Sequence, residues 1–130
     1  LHKQSLSLAT SSGGADTDYF PDALRAGTEI VAIKYTKTDF ANDTTLAITG
    51  NDSAQAILAI TIAAALNVTS FWFPRAQAMT PAGVLAMMND ESDEPVLVPL
   101  ILMNDDLIKV VVASGGDTKT GVLELYTRID

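Results

Sequence analysis

The chain contains no cysteine. Disulfides, thiolate nucleophiles and cysteine-ligated zinc are therefore excluded, and stability must come from a packed core or from neighbouring copies. There is one histidine, His2, near the start. A Ser-His-Asp arrangement would depend on that ring, and a terminal residue is poorly placed to hold it rigidly; a solvent-exposed side chain is the simpler reading. Positive charge is scarce, with eight Lys and Arg against sixteen Asp and Glu and a net charge of -8. The basic residues are scattered, so the clustered cations needed to displace phosphate counterions are missing; neither nucleic acid nor an anionic membrane is an expected partner. Long apolar runs are also absent. The longest, Ala56 to Leu66, is interrupted by Thr61, well short of the ~20 residues of a spanning helix. No segment reads as a signal peptide.

What is present is apolar content. Hydrophobic residues make up 48% of the 130, and charged residues only 18%. That supports one domain with a real core and argues against global disorder. We read residues 1–16 as an N-terminal arm or first strand with a flexible turn, and 17–130 as a single β domain.

The pattern along the chain is mostly of period two. Leu6 and Leu8 alternate with serines in Leu1 to Thr10, which suits a short strand or an arm that pairs with a neighbour. Glu29 to Lys37 is a strand, with Val31, Ile33 and Tyr35 on one face and Ala32, Lys34 and Thr36 on the other. Thr45 to Thr49 follows as another. Ala54 to Leu66 fits either a helix, on its alanines and a loose capping box from Asp52 to Gln55, or a strand. The alternation of Leu58, Ile60 and Ile62 and the β-branched content favour a strand at Ile57 to Ala63. In Asn67 to Pro74, Phe71 and Phe73 face one way and Trp72 the other. A short helical turn is possible over 81–88, after Pro81. Pro95 to Met103 reads as a buried or edge strand. Two β-rich runs near the C-terminus flank Ser114 to Gly121, the pattern of a hairpin. About seven or eight short antiparallel strands at roughly ten-residue spacing predict an all-β fold, a β-sandwich or jelly roll.

Catalytic and ligand motifs are not found. Gly116 to Gly121 is followed by Val122 and Leu123, not by the Lys and Ser/Thr of a phosphate loop. Asp16 with Asp18, and the run Asp90, Glu91, Asp93 and Glu94, lack the calcium-loop pattern and read as solvated loops. Carboxylate pairs for sugar hydrolysis cannot be selected from so acidic a chain. The sequons at Asn42, Asn51 and Asn67 read as turn residues. No enzyme activity, cofactor or metal is expected. Trp72 with its flanking phenylalanines could stack on a ligand or fill the core. Met79, Met87 and Met88 suit a contact surface or core filling.

Three segments taken together resemble a known group. Glu29 to Lys37 (EIVAIKYTK), Trp72 to Ala76 (WFPRA) and Leu107 to Gly121 (LIKVVVASGGDTKTG) occur in the order found in small virion proteins of tailed bacteriophages, encoded among the head genes. The likeness covers most of Glu29 to Tyr126, and its last segment is the most specific. Between Ala76 and Leu100 this chain is Met-rich and acidic, where the group carries small, glycine-rich sequence. The resemblance implies a structural role without catalytic residues: a capsid decoration or cement protein on the outer surface of the virion, assembled in the host cytoplasm. Its expected partners are the major capsid protein and its own copies, with a trimer favoured by capsid threefold axes. Expected contact residues are Leu6, Leu8, Trp72, Met79, Met87 and Met88. The alternative is a head–tail junction or a tail or fibre module that recognises host glycans on Trp72, Tyr35 or Tyr126.

Overall fold

The computed structural model describes residues 1–77 and 97–129. Among the described residues there are ten strands and no helix: β1 (His2–Ala9), β2 (Asp16–Tyr19), β3 (Glu29–Lys37), β4 (Thr44–Gly50), β5 (Ala56–Ile62), β6 (Ser70–Trp72), β7 (Arg75–Gln77), β8 (Leu97–Ile101), β9 (Ile108–Ala113) and β10 (Thr120–Arg128). They form two antiparallel sheets, an all-β sandwich-like fold. The first sheet runs β1-β10-β3-β8-β7, with β6 also on β3; the second runs β2-β9-β4-β5. The short strands β2 and β7 account for the excess over the expected eight.

Alternation builds the core between the sheets. From the first sheet, Leu6, Leu8, Ile30, Ile33, Tyr35, Leu123 and Leu125 point inward; from the second, Leu46, Ile48, Ile57, Ile62, Ile108, Val110 and Val112. Two β-bulges adjust the pattern. Tyr126 pairs with Ala32 but Thr127 with Ile30, so Val31 is the extra residue of β3. That resets the parity and puts Ile30 in the core with Ile33 and Tyr35, where uninterrupted alternation would have set Val31 on the core face; Ala32, opposite Tyr126, is buried on the outer face. In β5, Ile57 is extra, since Ile48 pairs with Leu58 and Thr49 with Ala56. Ile57 thereby joins the core beside Ile62. The ambiguous alanine-rich segment is thus a strand, as its β-branched residues favoured.

The C-terminal pair is not a hairpin. β9 lies in the second sheet, between β2 and β4, and β10 in the first, between β1 and β3. Residues 114–119 form an arch between sheets, and Ser114, Gly116 and Thr118 take positive φ to make it. A two-residue turn would have kept both strands in one ladder, whereas this loop can span the ~10 Å between packed sheets.

Residues 10–15, 38–43 and 63–69 also cross between sheets, joining β1 to β2, β3 to β4 and β5 to β6. The four crossings gather at one end of the sandwich and bond to one another. Gly115 N donates to Gly14 O at 2.9 Å, Ala41 N to Gly115 O at 3.1 Å, and Asp43 N to Ile62 O at 2.7 Å. Asn67 ties the last arch in: its amide nitrogen donates to Phe40 O at 3.0 Å and Asn42 Oδ1 at 2.8 Å, while its oxygen accepts from the Tyr35 hydroxyl at 2.8 Å. The sequon asparagine is therefore a buried structural residue.

The opposite end is held by side chains that stand in for backbone. Gln4 donates to Asp22 O and accepts from Asp22 N. Gln55 does the same with Ile101 O and Met103 N. The buried Asp106 carboxylate accepts from Asp52 N at 2.9 Å, Ser53 N at 3.0 Å and Ser53 Oγ at 2.8 Å, closing the β4–β5 turn. Burial works to raise its pKa, but these bonds and one from Leu107 N outweigh it and hold the carboxyl below its usual range. A Cβ on Gly50 would overlap Asp106 and Ser53, which is why glycine ends β4.

Candidate functional site: an exposed aromatic face

The arrangement begins at β6. It pairs with β3 so that Trp72 lies opposite Ile33 and Phe71 opposite Lys34. Ile33 is a core position, so Trp72 turns inward and its neighbours turn out. Its indole stacks on Tyr35 at 5.1 Å and 14°. Tyr35 stacks in turn on Phe40 at 6.5 Å. Burial, and then the negative charge of Asp39, raise the Tyr35 pKa.

Phe71 and Phe73 stand on the outer side of the same sheet, 49% and 61% exposed. Their rings lie 6.4 Å apart, nearly parallel, and Phe71 meets Tyr126 of β10 at 5.9 Å. Two cations border the cluster. Lys34 Nζ sits 5.7 Å from the Phe71 ring centre and Arg75 Cζ 6.0 Å from that of Phe73. Arg75 is anchored by donating to Pro74 O at 2.7 Å. The Tyr126 hydroxyl donates to Glu124 at 2.8 Å, and that bond first, then burial and the carboxylate charge, raises its pKa. Leu97, Val98 and Ile101 of β8 are exposed on the same side of β3 that carries β6. The result is an aromatic surface bordered by the Lys34 and Arg75 cations and by the Glu124 carboxylate.

The expected contact residues divide accordingly. Leu6 and Leu8 are buried in the chain's own core, because β1 pairs along its whole length with β10, from His2 opposite Thr127 to Ala9 opposite Thr120. In this structure they face inward, and the alternation serves an edge strand of the first sheet. Trp72 is half-buried against the core. Met79, Met87 and Met88, the possible turn over 81–88 and the acidic run at 90–94 lie outside the described residues. Of the three suggested glycan platforms, Tyr35 and Trp72 face inward and Tyr126 alone reaches the outer surface. Phe71 and Phe73, which the sequence offers with Trp72 as a stacking platform, are the two of that trio that reach water. Their signal was parity: once Trp72 is placed inward, both neighbours must emerge.

Chemistry elsewhere is sparse. His2 is part of β1, with its ring 3.7 Å from Asp22, both exposed. They border a depression of about 390 Å³ that also takes in Arg25 and Arg128. Arg128 is engaged by Glu29. Among the described residues no three His, Asp or Glu converge as metal ligands, and no helix is long and apolar enough to cross a membrane. Comparison with known proteins finds no family that matches this chain and no curated protein similar to it.

Proposed function

We propose that this chain is a structural protein of a bacteriophage virion, a decoration or cement protein on the outer capsid surface that binds the major capsid protein and its own copies. The observation that carries the reading is the pair Phe71 and Phe73, held in water by β6 and stacked on each other beside Tyr126. Large apolar side chains gathered on one surface mark a contact site for another protein. Withdrawing the exposed part of each ring from water contributes on the order of 1–2 kcal/mol. Repeated over many copies, that binding stabilises a shell by mass action. The resemblance of three segments to small phage head proteins supplies the context. The net charge of -8 suits a position away from packaged DNA.

The test uses particles carrying the protein, particles stripped of it, and stripped particles reloaded with the parent chain or with Phe71→Ser/Phe73→Ser. Stripping lowers the temperature at which heads release DNA, the parent chain restores it, and the double variant does not bind. Equal heat resistance of stripped and loaded heads would sink the cement role. Labelling confined to the tail, with loss of adsorption to host cells, would favour the glycan-binding alternative.

A further inference from the structure

Edge strands expose unpaired backbone groups, and proteins protect them with charge, proline or brevity. β1 carries Lys3; β2 is four residues with Asp16 and Asp18; β7 is three residues, opens on Arg75 and follows Pro74. β5 has no such protection. Its seven residues, AILAITI, hold no charge and no proline, and among the described residues β4 is its one neighbour.

The direction of its backbone groups follows from the ladder. Asn51 N donates to Leu107 O, so odd-numbered residues of β4 face β9 and even-numbered ones face β5. Leu46 and Ile48 pair with Ile60 and Leu58, which therefore turn their backbone groups toward β4. Ala59 presents both of its groups to the open side and Thr61 its N–H, the Thr61 carbonyl accepting from Ala63 N at 3.0 Å. The Ala59 and Thr61 side chains are exposed and small, while Leu58 and Ile60 are only half-buried at the rim of the core.

We infer that β5 is a strand-pairing site for β5 of a second copy of this chain, antiparallel about a twofold axis at Ala59. That register lets Ala59 exchange both backbone bonds with Ala59 of the second copy. It sets Leu58 opposite Ile60 of the second copy, and the reverse, so each half-buried side chain gains an apolar partner in the closer type of cross-strand pair. The contact is isologous and closes on itself. The self-complementary register selects this occupant, and charge permits it. Each copy carries -8 and is repelled over most of its surface, but the outer face continuing from β5 is lined by Thr45, Ala47, Ala59, Thr61, Val111 and Ala113, without one carboxylate. The inference stands apart from the virion reading, and it sets a pair of chains in solution against the trimer suggested by capsid symmetry.

Sedimentation and native mass spectrometry of the purified chain test it. The parent protein runs at the mass of two chains, and hydrogen exchange at Ala59 and Thr61 slows as concentration rises. Ala59→Lys and Ala59→Glu, whose side chains reach into solvent, each halve the mass with unchanged near-UV dichroism; mixing the two restores a two-chain species holding one of each. Ala59→Pro, which removes an N–H that the β4 ladder does not use, also halves the mass. A parent species of one or three chains, or pairing that survives in Ala59→Lys, overturns the proposal. So does an Ala59 amide protected independently of concentration, which would assign the cover of this edge to the same chain.

Discussion

The bond between Tyr35 and Asn67 offers the sharpest test of how the arches are held. Both side chains are buried, and the hydroxyl-to-amide distance is 2.8 Å. Tyr35→Phe keeps the ring, and with it the stacking on Trp72 and Phe40. It removes one hydrogen bond and leaves the Asn67 oxygen unpaired, a loss of about 1–2 kcal/mol. For a chain of this length that lowers Tm by roughly 3–10 °C. Asn67→Ala removes that bond and also leaves Phe40 O and the Asn42 side chain without their donor, so about 2–4 kcal/mol is expected. The double variant decides the mechanism. In the Asn67→Ala background the Tyr35 hydroxyl is already an orphan, so deleting it costs little. Urea unfolding of the four proteins should show the double variant less damaged than the sum of the singles by about 1 kcal/mol. Additivity within about 0.3–0.5 kcal/mol would mean that the two groups act independently, refuting the account of a single buried network.

Other outcomes follow from the same contacts. The Asp106 carboxyl is held below its unfolded value, so its contribution is present above about pH 4 and is lost as pH falls through the lower folded value; acid unfolding followed by dichroism should begin at higher pH and lose part of its slope in Asp106→Asn. Gly121→Ala drives a methyl into the buried Phe40 ring and should cost about 1–3 kcal/mol in denaturant melts. Phe71→Ser/Phe73→Ser should leave the free chain's stability within about 0.5–1 kcal/mol of the parent, because those rings pack on the outside, while abolishing attachment to heads.

The strands were readable because alternation is local. Leu46 and Ile48, or Leu123 and Leu125, announce their buried face within a few residues. Even the alanine-rich segment was decided by Ile57, Ile60 and Ile62, whose branching outweighs the helix preference of the alanines between them. Partnership was not readable. The run through Ser114 to Gly121 reads as a hairpin but folds as an arch, since periodicity marks a strand without saying which strand lies beside it. The bulges at Val31 and Ile57 are visible only as a missed beat in a ladder with two members. Asn67 looked like a turn residue because its three partners, Tyr35, Phe40 and Asn42, all lie some twenty-five to thirty-two residues away in the chain. The aromatic surface was half legible: the division between Trp72 and its neighbours was clear, but which half faced water depended on β3.

β9 and β10 occupy the interior positions of the two sheets, and they are the last strands in chain order. Among the described residues β1 has no neighbour but β10, and β2 none but β9. During synthesis residues 2–19 therefore wait without a ladder until residues 108–128 have left the ribosome. Neither layer can knit stepwise from its beginning. Closure is a late, long-range event, slow by the entropy of bringing distant segments together, and a nascent chain stalled before Ala113 leaves both layers open at the centre.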